Sequence, residues 1–437
     1  MTDRNERMPS AFRLNLEQQK HRAKELLRAA KAGDRDSLAR IRAAREPARM
    51  ANPPTAALKL ADAQFAIARE LRFTSWTHLK AHIASMDHER TAMAQGRSAL
   101  DGEMKTLHVR CGHDIQHALR LAGFTGDFHA HITPYCQGPV TNGPDRHERM
   151  AQFIVNGFRD VLGDSQPLDH ESVLANELRQ DEVLEHTADT YERVVLWMEY
   201  DTYDQLALAR LLAHYANGRR PRVLECVLAN DFPGGDRFIG VGQLPPEALR
   251  MLWSTRKSVT DAQLTLGRDV WNAFTSPDPG RLARIARSGS PALPMMAPAL
   301  LRQLRELPDT RDGTSLTERS ILRIIGEANG ITLNALFHTL MKREPLFFIG
   351  DAGVARVVRE MERAAEPAVL RTVGAAGERS FDNRLTLTQA GRGVSSGTRD
   401  WHSLRPPPRW VGGVHIVPGL PGWRWDEAQG EPTWHEP

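Results

Sequence analysis

The sequence predicts an α/β fold. A Rossmann-like, mostly parallel sheet is preceded by a helical module and followed by a helical region of winged-helix character. Three observations carry this expectation. Between about residues 104 and 245, short apolar runs alternate with amphipathic helical stretches, the rhythm of strands joined by covering helices. Residues 1–90 show helix periodicity alone. From Ser315 onward, three helical stretches precede two short strand-like runs.

In the first segment, Leu16 to Ala32 places Leu16, Ala23, Leu26, Leu27 and Ala30 on one face, and Gly33 ends the helix. Asp34 to Arg45 follows as a second helix. Pro47 to Thr55 is a linker broken by Pro53-Pro54. Leu58 to Leu71 is a third helix, and Ser75 caps a fourth, Trp76 to Met86. Residues 88–103 are small and polar and read as a linker to the next domain.

The α/β segment, 104–245, carries strands at Leu107–Cys111, Asp127–Ile132, Val194–Met198 and Arg222–Ala229. Helices are expected at Asp114–Ala122, 145–162, 168–186 and Tyr203–Ala216. The last segment, 246–437, begins with helical stretches at Pro245–Trp253, Asp261–Phe274, Pro279–Arg287 and Pro298–Glu306. Its winged-helix pattern, within 315–400, comprises Leu316–Ile325, Thr332–Lys342, Gly353–Arg363 and strands Val369–Val373 and Leu385–Thr388. Gly374 to Asn383 would be the wing. A tail with Trp401, Trp410, Trp423 and Trp425 should fold back, since exposed indoles are costly.

Composition excludes several classes. The 437 residues carry 41% hydrophobic and 25% charged side chains, an ordinary globular balance. A net charge of +3 gives nucleic-acid binding no support by itself. Cys111, Cys136 and Cys226 are too few and odd in number for a disulfide framework, which fits a reducing cytoplasm. The charged N-terminus lacks a signal-peptide core, and no run of about 18 apolar residues suggests a membrane span.

The stretch RVVLWMEYDTYDQLALARLL, Arg193 to Leu212, is the most informative. A buried strand stops at Glu199, Tyr200 and Asp201 and a helix begins, so acids gather where α/β sheets bind ligands. Glu199 or Asp201 would serve as a base or cation ligand, with Asp204 in the first helical turn. Asp201 as an N-cap and Asp204 facing the helix dipole explain them nearly as well. Gly112 and His113 follow the first strand, where His113 would be a general acid or phosphate contact. Simple turn-and-cap chemistry with Asp114 is the competing reading. Asp231 ends the fourth strand similarly, and Gly138, before Pro139, is a corner that could line the same crevice.

Other candidates are weaker. His129 and His131 share one strand face with Cys136 downstream, but a third and fourth metal ligand at recognisable spacing are not evident, so no metal is assigned. No cofactor is named. Ser165, Ser172 and Ser254 lack a nucleophile-elbow context. Gly412-Gly413 reads as a tight turn beside Trp410. A DNA-reading surface would use Asn334, His338, Lys342 and Arg343 on one helix, or Arg356, Arg359 and Arg363 on the next, although Glu344, Glu360 and Glu362 interrupt them.

LKLADAQFAIARELRFTSWTHLKAHI resembles a short ankyrin-like helical module, which implies a docking role for a protein partner. LHVRCGHDI, CQGPV, VVLWMEYDTYDQLALARLL and FIGVGQLPPEAL resemble the bacterial DUF1835 family. LGRDVWNAFTSPDPGRL, PALPMMAPALLRQLRELP, FFIGD, LTLTQAGRGVSSG and RWVGGVHI resemble its C-terminal part. The motifs run in order from about 105 to 426. The resemblance implies an architecture and supplies no reaction. Arg405 to Pro408 departs from it, being proline-rich before Trp410. The expectation is a small-molecule or nucleotide-handling protein with its site at the carboxyl ends of the strands. The alternatives are a ligand-sensing regulator that binds DNA or a protein through the winged-helix-like region, and an interaction scaffold.

Overall fold

The computed structural model describes residues 11–46, 54–97, 100–163, 168–344, 346, 349–372 and 383–436. The linker residues 47–53, Ser165, Phe347 and Phe348 of FFIGD, and the expected wing apart from Asn383 lie outside them. The chain forms two compact units interleaved in sequence. One comprises Met1–Phe128, Arg193–Glu199 and Glu225–Lys257. The other comprises His129–Glu192, Tyr200–Leu224 and Ser258–Pro437. No helix among the described residues is long and apolar enough to cross a membrane.

The first unit opens with α1 (Leu16–Lys31), α2 (Arg35–Arg45), α3 (Leu60–Glu70) and α4 (Trp76–Ala94). Asn15, Asp34 and Ser75 cap α1, α2 and α4 by accepting backbone N–H groups. Leu26, Ile41, Ile67, Leu79 and Ile83 fill the core between them, each such side chain contributing roughly 1.5–3 kcal/mol by burial. The expected linker from residue 88 starts later, because α4 continues to Ala94. Met86 and Ala92 are buried there, and Arg250 Nε donates to Glu89 at 2.6 Å. That packing favours helix over linker.

A five-stranded sheet uses β1 (Thr106–Arg110), β2 (Asp127–Ala130), β3 (Arg193–Glu199), β4 (Val223–Ala229) and β5 (Lys257–Ser258) in the order β2-β1-β3-β4-β5. The sheet is mostly parallel; β1 pairs with β3 in register Leu107↔Val194 and Val109↔Leu196. Every residue of β3 is buried, which is why Val194 to Met198 form a continuous apolar run rather than an alternating one. Trp197 Nε1 donates to His108 Nδ1 at 3.1 Å, and His108 Nε2 lies 3.0 Å from Asp101. An indole can only donate, so the His108 proton sits on Nε2 and is given to Asp101. Burial works against the Asp101 carboxylate. His108 and the N–H groups of Thr125 and Gly126 outweigh it and hold the pKa at about 2. Phe124 and Trp253 complete the aromatic cluster.

The second unit is largely helical: α6 (Arg146–Leu162), α7 (His170–Thr190), α8 (Thr202–Asn217), α10 (Asp261–Phe274), α11 (Gly280–Ser288) and α12 (Met296–Leu304). The shorter α5 (Gln116–Leu121) and α9 (Pro246–Trp253) belong to the first unit. Helix α12 begins before Pro298 rather than at it. The first-turn N–H groups of a helix have no intrahelical partner, so a proline there costs no hydrogen bond. Then come α13 (Leu316–Glu327), β6 (Ile331–Thr332), α14 (Leu333–Arg343), α15 (Asp351–Glu362), β7 (Val369–Thr372), β8 (Arg384–Leu387) and α16 (Gln389–Ser395). The strands form an antiparallel sheet in the order β6-β8-β7.

Two hairpins end the chain: β9 (Arg409–Val411) with β10 (Val414–Ile416), and β11 (Gly422–Asp426) with β12 (Glu431–His435). Gly412-Gly413 is the two-residue turn of the first. Gly412 has φ 58°, and an added Cβ would lie 2.5 Å from the Phe274 carbonyl. Trp401 is buried and donates to Glu318 at 3.0 Å, and Trp425 is buried as well. Trp434 remains exposed.

Candidate functional site

The acids named from the sequence have local partners. Glu199, the last residue of β3, is 3% exposed. Arg110 Nη2 lies 2.5 Å from its Oε1, and the Val241 N–H donates to the same oxygen at 2.7 Å. Arg110 also bonds Asp114 at 3.1 Å. Asp114 was expected to cap α5; Ile115 holds that position without a side-chain cap, because the Asp114 carboxylate turns back to the guanidinium. Gly112, at φ 153°, makes the turn before exposed His113, whose Nδ1 is 3.2 Å from Gln116 Oε1. Asp231 is ion-paired with Arg72.

In the second unit, Asp201 is the N-cap of α8 and accepts the Asp204 N–H at 2.9 Å. Asp204 is buried in the first turn of the same helix. Gly138 sits against α6, where an added Cβ would lie 2.8 Å from Phe153 and 2.9 Å from Met150 Sδ. Its backbone must approach that closely, which accounts for the corner. His129 belongs to β2, but His131 lies past the strand's end at Ala130. The ring centroids of the pair are 5.9 Å apart. Burial pushes the Cys136 thiol up.

The second unit contains a cavity of about 440 Å³ lined by other residues, among them Tyr135, Arg146, His147, Glu177, Asp181 and Trp271. Helix α7 supplies Glu177, Gln180 and Asp181, three and four positions apart and so on one face. Glu177 is 4% exposed. Thr133 Oγ1 donates to its Oε2 at 2.8 Å and Gln180 Nε2 to its Oε1 at 3.1 Å. The Ile132 N–H donates to Gln180 Oε1 at 2.6 Å, which fixes the amide's orientation. Burial pushes the Glu177 carboxyl up to about 7. The two hydrogen bonds oppose the rise and Asp181 adds to it.

Asp181, one turn on, has the opposite environment. Arg210 Nη2 is 2.6 Å from it, Arg146 Nη2 2.7 Å and His147 Nε2 3.0 Å. Burial disfavours its charge, but these cations and donors outweigh that and hold it well below the usual carboxylate range. Tyr135 presents a ring edge to Trp271 at 4.9 Å, and its hydroxyl is 2.8 Å from His131 Nε2. Burial pushes His131 down to about 3, so it is neutral at ordinary pH. Thr141 Oγ1 is buried on the cavity wall with no hydrogen-bond partner among the described residues.

None of the seven residues named from the sequence is among the described residues lining this cavity. The arginines expected on a DNA-reading helix are engaged. Arg356 is 6% exposed and pairs with Glu360, Arg359 bonds Glu362 at 3.3 Å, and Arg363 pairs with Asp160 of α6. On α14, Asn334, His338 and Lys342 are exposed, and Arg343 bonds Glu327 at 2.6 Å. No family model and no curated protein matches the chain.

Proposed function

We propose that the second unit carries a small-molecule active site in which Glu177 is the general acid–base group and Arg146 and Arg210 receive an anionic part of the substrate. The observation that carries this reading is the Glu177 carboxyl, buried against a cavity and bonded by a hydroxyl and an amide, with a pKa of about 7. A group with that pKa both takes and returns a proton near neutrality. With Glu177 protonated, Arg146 and Arg210 outnumber Asp181 by one charge, which favours an anion. Trp271 and Tyr135 offer ring surfaces beside it.

This reading keeps the small-molecule expectation and moves its base from Glu199 or Asp201 to Glu177. The collinear DUF1835-like motifs are part of the same proposal and add no reaction. The element order α13, β6, α14, α15, β7, β8 supports a winged-helix reading of that region. The paired arginines of α15 favour the small-molecule reading over DNA recognition.

Carbon NMR of protein labelled at glutamate carboxyls tests the proposal. One resonance should titrate near pH 7 and vanish in Glu177→Gln. Citrate and inorganic phosphate should raise the melting temperature of the wild type more than that of Arg146→Ala. Titration of that resonance near the ordinary glutamate value of about 4.3 would sink the proposal.

A further inference from the structure

The second unit holds another cavity, of about 510 Å³, between α6, α15 and the segment leading into β9. Five arginines line it: Arg149, Arg356, Arg359, Arg363 and Arg409. The carboxylates on its wall are Asp145, Glu148 and Glu360, and Arg359, Arg363 and Arg409 also pair with Glu362, Asp160 and Glu318. Phe153, Trp410, Pro407 and Pro408 add apolar surface to its wall. The proline-rich step before Trp410, which departs from the DUF1835-like pattern, thus forms a rim of this cavity.

The arrangement of Arg356 shows how the site is built. An added Cβ at Gly157 would lie 3.0 Å from Arg356 Cδ, so the missing side chain gives the arginine its channel across α6. Its guanidinium then lies over the Phe153 ring at 5.1 Å and the Phe158 ring at 5.9 Å. It also pairs with Glu360. Its Nε, and that of Arg359, are buried without a hydrogen-bond acceptor among the described residues. A buried donor left unpaired is costly and marks a place for an external acceptor. Trp410 is held flat by stacking on His415, with centroids 4.3 Å apart and planes 16° apart.

We infer that this cavity binds an organic phosphate bearing a planar ring, of the mononucleotide class, independently of the Glu177 site. Arginine is the side chain whose fork matches phosphate oxygens, and buried or half-buried guanidiniums hold them most strongly. The Trp410 and Phe153 surfaces accept the ring, and Gln152 and Asn156 on α6 offer hydrogen bonds to its polar substituents. Burial pushes the Glu360 carboxyl up against the opposing pull of Arg356.

Calorimetric titration of the full chain with adenosine 5′-monophosphate, adenosine and inorganic phosphate as separate probes tests this. The nucleotide should bind more tightly than either half. The double variant Arg359→Ala/Arg363→Ala, which changes two part-exposed side chains, should weaken it at least tenfold. Trp410→Ala should weaken adenosine and nucleotide together. Arg146→Ala, in the other cavity, should leave nucleotide affinity unchanged. Circular dichroism melts establish that each variant is folded. No heat at millimolar nucleotide, an unchanged affinity in the double variant, phosphate binding as tightly as nucleotide, or loss of binding in Arg146→Ala would each overturn the inference. The Glu177 proposal stands or falls separately, on the carboxyl titration.

Discussion

Glu199 and Glu177 are 3% and 4% exposed, yet they are opposite cases. Glu199, at the end of β3, faces the Arg110 guanidinium at 2.5 Å and a backbone N–H. Glu177, in the middle of α7, is met by a hydroxyl and an amide, and its carboxyl is pushed up to about 7. Burial is common to both. The difference is the charge of the partner, and it decides whether a buried acid holds structure or is ready to move a proton.

The comparison breaks most sharply at Arg110. Arg110→Met keeps an unbranched stem and removes the guanidinium, leaving Glu199 buried without it. We expect a loss of about 3–5 kcal/mol, the usual cost of splitting a buried pair, read from urea unfolding. Adding Glu199→Gln should recover much of that loss, because the uncompensated charge goes too. A single-variant loss under about 1 kcal/mol would mean that Glu199 is not held by that pair, since exposed pairs behave this way.

Glu177 should respond in the opposite sense. Its folded pKa, about 7, lies above the unfolded glutamate value. The native state therefore binds the proton more tightly, and stability is present at low pH and lost as pH rises from about 4.5 to about 7. Glu177→Gln removes that loss. It should stabilise the fold by about 3 kcal/mol above pH 7 and by little near pH 5, seen in melts at the two pH values. Asp181 is shifted the other way, so Asp181→Asn should destabilise. Its cost should be nearly constant across the same range, because that carboxylate loses its charge only at far lower pH. Equal pH profiles for the two variants would erase the distinction between the carboxylates.

Much of the first unit could be read from the chain because its cues are local. Asn15, Asp34 and Ser75 stand where caps belong, and Val194 to Met198 is apolar at every position because the strand is buried on both faces. The Glu177 site could not be read this way. On α7 the buried positions are Glu177, Gln180, Leu184 and Thr187, while Leu178 is 49% exposed. Three of four inward residues are polar, and polar residues at helical spacing ordinarily mean the solvated face. The available signal was the inversion itself: an apolar residue beside an acid-rich stripe in a helix that must still pack. Arg210 was hidden for a related reason, since its partner Asp181 lies 29 positions away. By contrast, Asp201 stood out because it stops a strand and starts a helix, which is sufficient work for an N-cap.

Thr141 offers the smallest expected change in stability and a fine test of the comparison. Its hydroxyl oxygen is buried on the wall of the Glu177 cavity with no partner among the described residues. A hydroxyl that held structure, as Thr133 does for Glu177, would cost stability on removal. A hydroxyl waiting for a substrate is buried unpaired in the empty fold, so exchanging it for a methyl of similar size should leave stability unchanged or raise it by about 1 kcal/mol. Thr141→Val should therefore melt no lower than the wild type while binding citrate or phosphate several-fold more weakly, since one neutral hydrogen bond is worth about 1 kcal/mol. Both halves are needed. A lower melting temperature with unchanged binding would make Thr141 part of the scaffold, and the cavity would lose one of the polar groups that set it apart from the closed charge pairs around Arg110.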